Sequence, residues 1–564
     1  MRIFRTDPYR RIISCFPMAI VVLFMVPILA GLLGTALPSF GYWPGDSTRA
    51  LHVQPWRDLA DAPGLGQAIF TSVFSGVGAT VLSLVIAVSF TASWSNSKIS
   101  LLVSRSTAPL LAVPHAAFAI GFAFLFIPSG WLIRIITPCL SGWSAPPDYL
   151  FIQDLHGAGL MVALVCKELF FLLLVMQAAL SQIDAQKYLS VTRTLGSWPV
   201  CAWLKVIFPM IYPQIRLPLY AVLAYSLSVV DMSMIVGPAT PPSLSVLAVN
   251  WMQDPDIGTR LQGAAAALLL FGIVVIAVLG WRGLEKIVIA CGRAWIFNGP
   301  RTFAEKFTHW ISGIATSLIL VVSGFALISL VLWSFADVWR FPAALPSEFT
   351  LRTWIGAWDG LKVHSISTFI LAIVSGAVAL LLGLGILENE YWKGARPKVA
   401  GQFFLYMPLM IPQVSFLFGL QVALVYLNID GSWLAVVWSH LVFVVPYVFL
   451  IFADPFRNLD PRFTKTALSL GKPPFTVLRT VKIPLLKAPM AIAFAVGFSV
   501  SVSQYLATLF PGVGKIQTLT TEAVTLAAGG DRRDLGAYGL AQFMLPLIVF
   551  SIAAAVAARH TRTL

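Results

Sequence analysis

Apolar stretches long enough to cross a lipid bilayer follow one another along nearly the whole chain, and this repetition restricts its folds more than any other feature. The hydrocarbon core of a membrane takes about 20 residues of helix. Runs of that length fall at 14–37, 67–93, 101–127, 158–181, 216–237 and 258–281, and again at 309–334, 363–388, 399–427, 432–453, 488–508 and 537–558. A spanning strand would need only about ten residues and would alternate apolar with polar. The pattern therefore predicts an all-α polytopic membrane protein with twelve transmembrane helices. Hydrophobic residues make up 58% of the chain and charged ones 11%, with a mean hydropathy of +0.84, which excludes a water-soluble fold.

The charge follows topology. A formal net charge of +14 would suggest nucleic acid as a partner of a soluble chain. Here 27 of the 38 Lys and Arg fall in segments on one side of alternate runs, ten fall on the other, and Lys167 lies within a run. Basic loops stay in the cytoplasm, so both termini are expected inside, with the lipid bilayer and not nucleic acid as the partner. Arg10 and Arg11 precede the first run as in a secretory signal, but the run continues past Gly31 without a convincing cleavage site and reads as an uncleaved first span. Cys15, Cys139, Cys166, Cys201 and Cys291 are scattered, without a CxxC pair, and indicate neither a disulfide framework nor zinc.

The chain is written twice. Residues 183–209 read IDAQKYLSVTRTLGSWPVCAWLKVIFP and residues 459–484 read LDPRFTKTALSLGKPPFTVLRTVKIP. Each starts with an apolar–Asp pair, reaches Leu-Gly (Leu195-Gly196; Leu470-Gly471) and then a Pro (Pro209; Pro484) at the same distance. Upstream, Trp94, Pro114 and Gly121 correspond to Trp392, Pro412 and Gly419, with a larger offset that places an insertion in the first half around 128–157. Six spans per copy return the second half to the same orientation, so the halves should be parallel, with a shared pathway between them. The expected division is 1–285, a cytoplasmic linker 286–308, and 309–564.

Each repeated segment lies in a cytoplasmic loop between the fourth and fifth spans of its half. Gly suits the end of one helix, and the following Pro199, or Pro473 and Pro474, suit the start of the next. Helix, sharp turn, helix is the expectation. The spacing resembles the loop motif E-A-A-x3-G-x9-I-x-L-P of binding-protein-dependent ABC import permeases. It falls on Ser190, Val191, Thr192, Gly196, Val206, Phe208 and Pro209 in the first half. In the second it falls on Lys465, Thr466, Ala467, Gly471, Val481, Ile483 and Pro484. Gly and Pro match in both copies; the opening Glu is Ser190 and Lys465 instead, and only Ala467 keeps an Ala. The whole arrangement is similar to the fused permeases of iron(III) and thiamine importers, most of all the thiamine-transport permeases.

That resemblance implies a type I ABC importer permease fold, a bacterial inner-membrane location and no enzymatic activity of the chain itself. It also implies a dimer of ATPase subunits gripped by the two loops, and a periplasmic solute-binding protein that delivers the cargo. The chain has no GxxxxGK[ST] phosphate loop, since Gly471-Lys472 lacks both its upstream Gly and the following Ser or Thr, so ATP must be bound by another polypeptide. No cofactor or metal is expected. The competing reading is a secondary active transporter with two parallel six-helix halves, which gives no reason for a repeated Gly-x12-Pro loop; a membrane enzyme lacks a convergent catalytic set.

Ionisable groups at membrane depth are costly and tend to mark function. Asp231 in the fifth span and Gln504 in the eleventh occupy similar places, and both are expected to face the pathway, unless their Ser-rich surroundings mean only close helix packing. Lys167 and Glu168 read as an internal ion pair or snorkelling side chains. Glu388 and Glu390 are expected at the inner end of the eighth span among waters and headgroups, and Trp333 and Tyr391 as interfacial anchors. The stretches 238–257 and 509–535 either dip into the mouth of the pathway or are ordinary loops.

Overall fold

The computed structural model describes residues 8–43, 51–95, 97–137, 142–298, 305–394 and 399–561. The first half comprises α1 (Pro8–Ser39), α2 (Leu65–Trp94), α3 (Lys98–Ala112), α4 (His115–Phe126), α5 (Ala158–Leu180), α6 (Ala185–Thr194), α7 (Phe208–Ser228) and α8 (Ile257–Asn298). The second repeats the order as α9 (Glu305–Phe335), α10 (Trp358–Lys393), α11 (Val399–Met410), α12 (Gln413–Tyr426), α13 (Trp433–Arg457), α14 (Pro461–Ser469), α15 (Lys487–Val502) and α16 (Arg532–Thr561). Among the described residues the β-structure is one isolated bridge between Ala336 and Phe349. Among the described residues ten helices are long and apolar enough to cross a membrane, and two sharply bent pairs make twelve if each is one span. Ile276 and Leu279 on α8, and Ile314 and Leu318 on α9, are well exposed, as side chains facing lipid must be.

The third and ninth spans are not continuous. Val113 and Pro114 are extended between α3 and α4, and α11 meets α12 at 100°. The residue before a proline is pushed out of the helical region, and proline has no N–H to carry the ladder across, so Pro114 and Pro412 each break a run that hydropathy alone reads as one helix.

The halves are interlocked by exchange of their first helices. The first-half helix α1 packs along α12 of the second half, and α9 packs along α4 of the first. Each crossing is closest at a glycine. A Cβ on Gly419 would collide with the α1 backbone at Gly34 and Thr35, and one on Gly121 with Ala326 of α9. Without a Cβ the backbones approach closely enough for the Gly419 N–H to donate to the Thr35 hydroxyl, 3.2 Å. Glycines that marked the repeat in sequence thus mark the seam in space.

The insertion falls where the repeat offset put it, between α4 and α5, while α12 and α13 are separated only by residues 427–432. Its Arg134 is buried and clips it to the other half. The guanidinium donates to the carbonyls of Ser129 (2.8 Å), Arg340 (2.9 Å), Trp339 and Ala343 (both 3.3 Å), and lies over the Trp339 ring. Trp333, expected as an interfacial anchor, is instead buried beside Trp339 and Phe124, because the α9–α4 crossing covers it. Most of the expected linker 286–308 is helix, since α8 continues to Asn298; 299–304, like Cys139, lie outside the described residues.

Candidate functional site

The two repeated loops fold alike, turn for turn. Asp184 caps α6 by accepting from the Lys187 N–H (3.3 Å), and Asp460 caps α14 by accepting from the Arg462 N–H (2.8 Å). Each helix ends in the same closure. Gly196 (φ +79°) donates to the Arg193 carbonyl and Ser197 to Thr192; Gly471 (φ +76°) donates to Leu468 and Lys472 to Ala467. That pair of bonds needs a residue in the left-handed region, which glycine enters without steric cost. One-turn helices follow at Pro199–Ala202 and Pro474–Val477, then π-helical turns at Trp203–Ile207 and Leu478–Lys482. The widened turns have a local cause: Pro209 and Pro484 lack an N–H and would clash with the carbonyl four residues back, so the chain accommodates them by enlarging the turn ahead.

Each elbow is anchored on one side and bare on the other. Val200, Trp203 and Ile207 are buried in the first, Thr464, Ala467 and Val477 in the second. Tyr188, Val191, Leu195 (62% exposed) and Trp198 project from the first, and Phe463, Leu470 (75%) and Phe475 from the second. Ser190, Lys465 and Thr466 lie on the exposed sides and Thr192 is half-buried. A charged or polar loop tip would need no partner; an apolar one on two matched, rigid turns is a surface built for contact.

The anchors differ between the halves. In the first, the Glu305 carboxylate at the start of α9 accepts from the backbone N–H groups of Val200 and Cys201, both at 3.1 Å. In the second, Lys482 in the π turn donates to Glu388 of α10 at 2.6 Å, with both side chains 2% exposed. The Lys482 ammonium also lies 3.7 Å from the Tyr391 ring centre, while Trp392 Nε1 (2.9 Å) and the Tyr9 hydroxyl (3.2 Å) donate to Glu388. Glu388 and Glu390 are thus not among headgroups: the first is in this pair and the second accepts from Arg457. Tyr391, expected as an anchor at the interface, forms the floor under Lys482. These residues are 94 positions apart in sequence, and no local spacing betrays them.

Asp231 and Gln504 lie in equivalent breaks. Span five stops at Ser228 and Asp231 opens the short helix Asp231–Val236; span eleven stops at Val502, Gln504 follows, and Leu506–Gly512 resumes. Both are buried, Asp231 within electrostatic range of Tyr505 of the other half, and Gln504 accepting from Gln413 Nε2 of its own half at 3.4 Å. Lys167 neither snorkels nor makes a hydrogen-bonded pair with Glu168. Its ammonium donates to the carbonyls of Leu110 (3.0 Å) and Val113 (2.7 Å), closing the open end of α3. The stretches 238–257 and 509–535 fold back into the protein as largely buried helices, Leu244–Met252 and Leu519–Ala527. The first N–H of each is held by the second span of its half, Leu244 donating to the Ser72 hydroxyl (3.0 Å) and Leu519 to that of Thr368 (2.9 Å).

A family profile, the binding-protein-dependent transport system inner membrane component, matches residues 378–561 and so takes in the second elbow. The inner membrane ABC transporter permease protein YnjC of Escherichia coli (strain K12) is 32% identical over 518 residues, covering 90% of this chain and 91% of its own. The spermidine/putrescine transport system permease protein PotC of the same organism is 23% identical over 206 residues, covering 36% of this chain and 77% of its own. PhnV of Salmonella typhimurium (strain LT2), whose name assigns it to 2-aminoethylphosphonate transport, is 25% identical over 246 residues, with 42% and 91% covered. These two shorter relatives match 36% and 42% of the chain, as fits a fusion of two permease units. Two matched elbows, two interlocked halves and full-length similarity to an ABC permease lead to one conclusion: the chain belongs to the binding-protein-dependent transport system inner membrane components, as a fused permease subunit of an ABC importer.

Proposed function

We propose that this permease carries a small solute, handed over by a periplasmic binding protein, through the seam between repeats 1–285 and 309–564. A dimer of separate ATPase subunits drives it by gripping one elbow each from the cytoplasm, where both termini also lie. The observation that carries this reading is the pair of elbows with the same caps, the same left-handed glycine and the same bare apolar tip. Rigid turns transmit a push that a flexible loop would absorb, and two of them suit a two-fold partner. Ser190, Val191, Thr192, Gly196 and Pro209 form one contact, and Lys465, Thr466, Ala467, Gly471 and Pro484 the other. Lys465 where the motif has Glu means that an ATPase groove serving this chain presents no cation there. Asp231 and Gln504 face the cargo. Thiamine or a related small molecule is the proposed cargo, with iron(III) second, on the strength of the sequence resemblance alone. Membership of the permease family removes the reading as a secondary transporter.

Gently solubilised chain should copurify with a soluble ATPase. Valine at Gly196 and Gly471 forces a β-branched residue into the left-handed region, at a cost of at least about 1–2 kcal/mol per site, and the elbows respond by changing shape. The double variant should insert normally yet retain about tenfold less ATPase, the change that 1.4 kcal/mol of binding corresponds to. Unchanged retention, or uptake driven by an ion gradient without any ATPase, defeats the proposal.

A further inference from the structure

We infer that the seam between the halves holds a recognition site for an organic cation, centred on the Glu168 carboxylate and walled by tyrosines from both halves. The inference deepens the proposed function and rests on its reading of the seam as the pathway. Glu168 lies at the middle of α5, where an ionised group is most expensive, and is 6% exposed. Among the described residues none donates a hydrogen bond to its carboxylate. Its neighbour Lys167 is committed elsewhere, to the two carbonyls that end α3. Asp231 adds a second buried carboxylate within electrostatic range of the same lysine. Two carboxyl groups therefore lie within electrostatic range of one ammonium. A buried carboxyl without a partner gives up its charge unless a cation reaches it, which makes the pair a natural seat for one.

The surroundings say what kind of cation. Tyr225 of α7 is within electrostatic range of both carboxyl groups, Tyr447 of α13 is within that range of Glu168 from the other half, and Tyr505 of Asp231. Tyr225 and Tyr447 are only half-buried although they lie deep between the halves, so a gap remains between these faces. His115 fills the side of Tyr225, ring centres 4.9 Å apart. Aromatic faces attract ammonium and charged heteroaromatic groups. A bare divalent metal would need several oxygen, nitrogen or sulfur ligands at once, and no group of three or more His, Cys, Asp or Glu side chains that could hold a metal occurs among the described residues. An anion would meet two carboxylates. From the second half the amides of Gln413 and Gln504 bond to each other, and both carboxyl groups of the proposed site belong to the first half.

The test uses the full chain in lipid nanodiscs, without ATPase, so that binding is separated from coupling. Its thermal midpoint is recorded with millimolar choline, spermidine or thiamine as cationic probes, and with isethionate as the anionic control. At least one cationic probe should raise the midpoint and isethionate should not. Glu168→Gln keeps shape and removes charge, and should weaken that probe about tenfold or more. Tyr447→Leu should weaken it while leaving Glu168 in place, and serves if Glu168→Gln proves unstable. No response to any cation, a response to isethionate alone, or an undiminished response in both variants overturns the inference. Copurification with an ATPase in that event leaves the proposed function standing.

Discussion

Leucine at Gly419 is expected to prevent the two halves from closing on each other. The side chain would start inside the α1 backbone at Gly34 and Thr35, where no rotamer change relieves it. Overpacking of side chains costs about 1–3 kcal/mol and occasionally more; here the obstacle is helix backbone rather than a side chain that can turn aside, so the upper end is expected. Gly419→Leu should lower the thermal midpoint of the detergent-solubilised chain and replace a monodisperse peak in gel filtration with aggregate. Gly419→Ala should do the same to a smaller degree, and Gly121→Leu should reproduce it at the mirror crossing against Ala326. A Gly419→Leu chain with the native midpoint would show that α1 does not pack there.

The second large effect concerns the anchor of the second elbow. Lys482→Met leaves Glu388 buried at 2% exposure, still receiving Trp392 and Tyr9 but without its cation. Removing one partner of a buried pair costs about 3–5 kcal/mol, whereas replacing both by apolar groups is often near neutral. Lys482→Met should therefore destabilise the chain strongly, and Lys482→Met with Glu388→Leu should recover most of the loss. Because Lys482 occupies the π turn that joins elbow to span, the single variant should also loosen the second elbow more than the first, measurable as faster hydrogen exchange over Pro461–Ser469 than over Ala185–Thr194. Equal stability of the single and native chains would mean that the pair contributes nothing.

Much of this architecture was legible in the sequence because it is written locally. The length of each apolar run reports a span, and the elbows announce themselves by a Leu-Gly followed by Pro at a fixed distance, since glycine and proline each impose a particular backbone. The breaks at Pro114 and Pro412 were also signalled, but hydropathy averages over them. What escaped was whatever depends on which helix lies beside which. Glu388 looks like a charge at the end of a span and Lys482 like a loop charge until α10 and the second elbow are put side by side. Trp333 looks like an interfacial tryptophan until α9 crosses α4. The exchange of first helices has no periodicity of its own; Gly121 and Gly419 stood out only as repeat markers. Asp231 and Gln504 stand out as polar residues within apolar runs, though the helices those runs form break just before them.

The clasp of α1 and α9 bears on how such a protein can move. Two partners gripping each other's forearms can lean and sway, but neither can step away. With each first helix seated in the opposite half, drawing the two halves apart would strip both clasps, whereas tilting them about the glycine crossings, like shears on two rivets, would leave both in place. A small rotation at the elbows would then be returned as a swing of opposite sense on the far face.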